Sequence, residues 1–165
     1  MGAEAAGIRR TVKEFPKQKI VGICWGHQTI CVAFGGTVRK MAAAEIGVTP
    51  IQLTDDGLKM FPIANGRQMR IHEFHAREIA FPAKGFQPLA NGNQSFLSET
   101  NTILKFQGDP EMNGILVKVL LASFPTYTGV DEKQKETSKK QMDVVRNGAY
   151  IWERILAWVM ERIFA

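Results

Sequence analysis

The stretch Gly22-Ile23-Cys24-Trp25-Gly26-His27-Gln28 carries the strongest chemical signal in the chain. A cysteine with glycine two residues before and two after it, between an apolar run and a helix-patterned segment, is the arrangement of a nucleophile elbow. The nucleophile of such an elbow sits on a sharp, strained turn, so Gly22 and Gly26 are expected to lack Cβ atoms to avoid clashes. The positive end of the following helix faces the sulfur and favours the thiolate. The Trp25 N–H is then placed to stabilise an oxyanion. The competing reading is a glycine-flanked turn around a buried, inert cysteine. Cys31 lies inside the same helical segment and reads as a small core residue. On a helix the two cysteines share a face but stand about 10 Å apart along the axis. A disulfide needs Cα atoms within roughly 7 Å, so free thiols and a reducing compartment are expected.

His72 and His75 are the other chemically suggestive pair. A His-x-x-His spacing can supply two metal ligands, but no cysteine accompanies it at ligand spacing. No metal and no cofactor is assigned. His27 belongs to the elbow helix and is expected to point away from the thiol.

These side chains need elements to hold them. Ala3 to Phe15 reads as a helix ending before Pro16, and Lys19 to Ile23, with its apolar run Ile20-Val21-Gly22-Ile23, as a short buried parallel strand. Gly26 to Phe34 reads as a helix capped by Gly35-Gly36. Strand, tight turn and helix make half of a parallel α/β unit. Further strands are expected at Gly47 to Leu53, Gln68 to Phe74 and Ile103 to Gln107. Turn signals stand at Thr54-Asp55-Asp56-Gly57 and Ala90-Asn91-Gly92-Asn93. Gly114 to Leu121 returns to a helical pattern, and Thr126 to Lys140 is polar and loop-like. Tyr150 to Phe164 is strongly amphipathic, and its stripe of Ile151, Ile155 and Trp158 is expected to pack in the core.

The 165 residues fit a single domain, 1–165. No apolar run approaches the roughly 20 residues of a membrane span. Met1 to Gly7 contains Glu4 and leads into no apolar segment, unlike a secretory leader. A cytoplasmic protein is expected. The net charge of +5 comes from 21 basic and 16 acidic residues. The later lysine run alternates with Asp131, Glu132 and Glu136, as a solvated face does, and no nucleic-acid motif accompanies it. Neither nucleic acid nor membrane is expected as a partner.

The motifs together resemble the class I glutamine amidotransferases, most closely the fungal-type stand-alone amidotransferase-like proteins. Gly22 to Gln28 resembles the family's nucleophile motif. Glu45-Ile46-Gly47-Val48 looks like the strand that follows the nucleophile helix. Ile71-His72-Glu73-Phe74-His75 is similar to its Met-His-x-x-His segment. Phe106-Gln107-Gly108-Asp109-Pro110-Glu111 is similar to its Gln-Gly-His-Pro-Glu motif in every position but one, and Gly148 to Trp158 looks like its C-terminal helix. The resemblance implies a flavodoxin-like three-layer α/β sandwich with a mostly parallel sheet. It implies a Cys-His-Glu triad that hydrolyses the side-chain amide of glutamine through a thioester, releasing ammonia. Cys24 would be the nucleophile, Glu111 would orient the histidine, Trp25 would lend an oxyanion N–H, and Gln28 would help hold the substrate glutamine.

Two departures qualify that expectation. Asp109 stands at the family's histidine position, so a carboxylate that disfavours a thiolate replaces an imidazolium that stabilises one. With an ordinary pKa near 4 it is also a poor general acid at neutral pH. Asp109 and Glu111 would crowd one site, and weak or absent glutaminase activity is expected. The other departure is that only 23 residues precede Cys24. The first strand or strands of the family's sheet, and the glycine-rich loop donating a second oxyanion N–H, are expected to be missing. The uncovered edge makes a partner subunit or a homo-oligomer an expectation. The alternative from another class is a non-catalytic binding module on the same fold. A cysteine α/β-hydrolase would need a histidine late in the chain, and none follows His75.

Overall fold

Ile20, Val21 and Ile23 flank a glycine in a short β-favouring run, and they form β1 (Ile20–Ile23), a half-buried strand at one edge of its sheet rather than the buried strand expected. The computed structural model describes residues 2–62, 66–123, 136 and 146–161. In chain order the elements are α1 (Gly2–Glu14), β1, α2 (Trp25–Ala33), β2 (Thr37–Gln52), α3 (Asp55–Met60), β3 (Gln68–Phe81), β4 (Phe86–Ala90), β5 (Ser95–Ser98), β6 (Ile103–Phe106), α4 (Gly114–Ser123) and α5 (Gly148–Met160). None of the described helices is long and apolar enough to cross a membrane.

Four strands form one sheet in the order β1-β6-β5-β4. The expected mostly parallel sheet is met at one pair only: β1 runs parallel to β6, with Ile20 opposite Ile103 and Ile23 opposite Phe106. The β6-β5 and β5-β4 pairs are antiparallel. Connection length explains the difference. Residues 91–94 and 99–102 are short links that reverse the chain, whereas a parallel pair needs a long crossover. The far side of β1 pairs with no strand among the described residues.

Alternation along β6 separates the layers. Leu104 and Phe106 join the main core with Ile151, Ile155 and Trp158 of α5, and with Ile51, Phe61, Met69 and Ile71. The amphipathic stripe of the last helix is therefore core packing, as its spacing predicts. Lys105 points to the other face, its Nζ 4.5 Å from the Phe96 ring centre and 4.7 Å from that of Phe86.

A second, two-stranded sheet holds β2 and β3 antiparallel. Both are longer than their apolar cores suggest, since β2 begins ten residues before Gly47 and β3 runs past Phe74 to Phe81. Lys40 faces Arg77 and Glu45 faces His75, so residues 41–44 bulge against Ala76 alone. The turn signal at Thr54 opens α3, where the Thr54 hydroxyl accepts from the Gly57 N–H at 3.0 Å. The signal at Ala90 to Asn93 links β4 to β5, two strands the sequence pattern does not reveal. The segment Thr126 to Lys140 lies outside the described residues apart from Glu136.

Candidate active site

Cys24 sits where β1 meets α2, with φ +49° and ψ −103°. That backbone conformation is costly for a residue with a Cβ and marks a site the surrounding fold over-determines. Its N–H donates to the Phe106 carbonyl at 2.8 Å, which continues the β1-β6 ladder into the turn. A Cβ on Gly22 would overlap Ile30 Cδ1 and meet the Gly26 backbone at 3.1 Å. Gly22 is thus required by close packing. Gly26 is not: a Cβ there meets nothing within 4 Å. The turn is tight on the strand side only, because the helix carries position 26 outward.

Gln28 is buried, and both its amide protons are committed. One goes to the Arg77 carbonyl at 2.8 Å and one to Gln107 Oε1 at 3.1 Å. The Gln107 amide in turn lies 4.0 Å from the Cys24 sulfur. Gly108 presses on β3, since a Cβ would stand 2.7 Å from Glu73 Oε1 and from Ile71 Cγ2. The Asp109 N–H donates to the His72 carbonyl at 2.7 Å, which turns the Asp109 side chain inward, where it is buried. Glu111 lies exposed just beyond.

A cleft of about 430 Å³ opens over the sulfur, lined by Cys24, Trp25, Gln28, Lys40, Phe74, His75, Ala76 and Arg77. The Trp25 side chain is half exposed at its rim. Lys40 and Arg77, opposite one another across β2 and β3, bring two exposed cations to its mouth.

Residues 3–113 match the family Glutamine amidotransferase class-I. The chain belongs to the class-I glutamine amidotransferases. It is 36% identical over 159 residues to the glutamine amidotransferase-like protein chyE of Penicillium rubens, covering 93% of this chain and 64% of that protein. It is 35% identical over 152 residues to the glutamine amidotransferase-like protein chry6 of Gibberella zeae, covering 90% and 61%. The chain therefore spans less than two thirds of the length of these relatives. Among solved structures, a glutamine amido transferase from Methylobacillus flagellatus superposes with a TM-score of 0.72 at 18% identity, over 96% of this chain and 69% of that one. The shared fold is the flavodoxin-like α/β fold, with helices on both sides of a sheet.

The electrostatics of this amidotransferase-family site oppose a thiolate. Burial pushes the Cys24 thiol up to about 12, and the negative charges of Asp109 and then Glu73 push the same way. The Trp25 backbone N–H pulls against them and loses. Asp109 itself is raised to about 7, first by burial and then by the charges of Glu111 and Glu73. The expectation of an ordinary carboxylate near 4 is thus corrected: the group is half protonated near neutrality because it is out of water. The crowding acids also differ from the expected pair. Glu111 acts from the surface, whereas Glu73, fully buried on β3, shares the interior with Asp109.

Among the histidines, His27 is buried against Phe96 with ring centres 6.0 Å apart, and burial holds its pKa well below the usual value. His72 and His75 do not form a ligand pair, since residues three apart on a strand point to opposite faces. His75 instead meets Glu45 and Glu73, two acids that lie within the motif-like segments but carry no expected role there. Its Nε2 lies 2.9 Å from Glu73 Oε2 and 3.1 Å from Glu45 Oε2. Burial lowers the His75 pKa, but the two carboxylates outweigh it and hold it at about 10. The one local signal is the Glu73-x-His75 spacing, which puts both side chains on one strand face. Cys24 and Cys31 are both free thiols.

Proposed function

We propose that this domain receives glutamine in the cleft over Cys24, with Cys24 as a nucleophile whose glutaminase reaction is impaired by Asp109. The observation that carries the reading is the strained elbow at Cys24 beside a buried carboxylate at the family's base position. The thiolate would attack the side-chain amide carbon, with the Trp25 N–H stabilising the oxyanion, ammonia leaving and water cleaving the thioester. Gln28 would serve the substrate by fixing Gln107 beside the sulfur, because its own amide protons are occupied. Lys40 and Arg77 would take the α-carboxylate at the mouth. Burial and the neighbouring carboxylates keep the Cys24 thiol neutral at pH 7, which would slow the first step. Glu111 would have no imidazole to orient.

The test is intact-protein mass after exposure to an electrophilic glutamine analogue. We expect slow or no labelling of the wild type, stoichiometric labelling of Asp109→His, and none of Cys24→Ala. Rapid wild-type labelling would overturn the impairment. No labelling of Asp109→His would favour a second reading, a non-catalytic binding module, which the neutral thiol already supports. The open side of β1 suits a partner subunit or a second copy, and a monomer in size-exclusion chromatography would count against it. Two free thiols fit a reducing, cytoplasmic setting.

A further inference from the structure

Glu45, Glu73 and His75 converge from two strands on one point in the wall of the Cys24 cleft. Register puts Glu45 directly opposite His75, and the bulge at residues 41–44 sets that pairing. Glu73 stands two residues before His75, on the same face of β3. One ligand atom from each of the three lies within 4.8 Å of the other two.

Three observations point to a cation at that place. The His75 Nδ1 donates to the Arg77 carbonyl at 2.9 Å, the second-sphere contact that turns Nε2 toward the acids. Nε2 faces two carboxylates, and once it gives up its proton the three groups turn three lone pairs to one point. Glu73 is fully buried, yet neither of its oxygens nor His75 Nε2 has an aligned hydrogen bond, despite the short separations. A buried carboxylate is expensive unless a cation meets it, a place that protonated His75 fills when no metal is bound. The separations of 2.9 and 3.1 Å also match the edge of an octahedral site. Ligands about 2.1 Å from a metal at right angles to one another stand about 3 Å apart. Glu45 is partly exposed and His75 lines the cleft, so water has access to the remaining positions.

We propose that Glu45, Glu73 and His75 bind one divalent transition-metal ion, of the Mn²⁺ or Zn²⁺ class, beside Cys24. One imidazole and two carboxylates form a donor set both ions accept. In the metal-free state a proton holds the place of the ion between His75 and its acids. A bound ion would cancel the Glu73 charge that disfavours the Cys24 thiolate, so the site bears on the thiol without being needed for the glutamine reading.

The test uses the full chain, freed of metal by chelator and dialysis. Mn²⁺ is titrated in while loss of the free-ion electron paramagnetic resonance signal is followed. Zn²⁺ is titrated against a chromophoric chelator in a Cys24→Ala background, which removes the neighbouring sulfur as a ligand. We expect one saturable equivalent of at least one ion. Glu45→Gln should weaken it by at least roughly tenfold, since even an outer-sphere partner is worth that much. Glu73→Gln should do the same, and where it fails to fold by circular dichroism, Glu45→Gln decides alone. No saturable binding of either ion, or wild-type affinity in Glu45→Gln, overturns the proposal.

Discussion

Gln28 Nε2 donates to Gln107 Oε1 at 3.1 Å, joining the first turn of the nucleophile helix to the residue that follows β6. Its other proton goes to the Arg77 carbonyl on β3. A single amide thus fixes α2 against both sheets at the level of the Cys24 sulfur. Gln28→Leu keeps the volume but strips both bonds, leaving the buried Gln107 amide oxygen without this donor, while the Arg77 carbonyl keeps that of His75 Nδ1. Such an orphaned group costs about 1–3 kcal/mol. We expect a urea midpoint lowered accordingly with an unchanged m-value. A midpoint equal to the wild type would show that the bridge carries no stability.

The two glycines of the elbow should behave differently despite their symmetric spacing. A Cβ at Gly22 runs into Ile30 and the Gly26 backbone, and only the side chain can yield. Gly22→Ala should destabilise by about 1–3 kcal/mol, the usual cost of overpacking. Gly26 lies in α2 with open space around it. Replacing a helical glycine by alanine gains up to about 1 kcal/mol. Thermal melts of the two variants should therefore move in opposite directions. Equal losses in both would restore the symmetric reading of the motif.

What the sequence discloses here follows the range of the interactions. The elbow is legible because β1, Cys24 and α2 are contiguous and their signals are local. The Glu45-Glu73-His75 cluster is not, because it depends on a strand register in which residues 41–44 oppose Ala76 alone. No periodicity within either strand reveals that offset. The β4-β5 hairpin is hidden for a different reason. Pro88 sits inside β4, and Ser95 and Ser98 are buried polar ends of β5, so neither strand shows the alternation that marks a half-buried strand. Asp109 is visible as a substitution within a motif, but its raised pKa comes from a burial that only the packed structure supplies.

That burial also sets how stability responds to pH. Asp109 rises from 3.8 to about 7 and Glu73 from 4.5 to about 7, each chiefly through burial. For both acids the folded state binds the proton more tightly than the unfolded chain. Their favourable contribution is fully present below pH 4 and is lost as pH rises through 7. His75 is raised from 6.5 to about 10, so its contribution is present below 6.5 and lost between there and 10. All three trends run the same way above pH 5. Glu45, held below its usual pKa first by His75, adds stability as pH rises in the acid range. His27 and His72, held low by burial, add it up to their ordinary 6.5. Lys105, lowered by burial to about 8, adds it from there to 10.5. Above 6.5 the losses outweigh the gains, so the melting temperature should fall from pH 6.5 to pH 8.5. Asp109→Asn makes the neutral state permanent, so it should flatten that slope. It should also raise stability at pH 8.5 by roughly a few kcal/mol, because each tenfold change in proton affinity is worth about 1.4 kcal/mol. Calorimetry on both proteins across that window measures the difference. A wild-type melting temperature that rises with pH, or a slope unchanged in Asp109→Asn, would mean that Asp109 is ionised and accommodated where it lies.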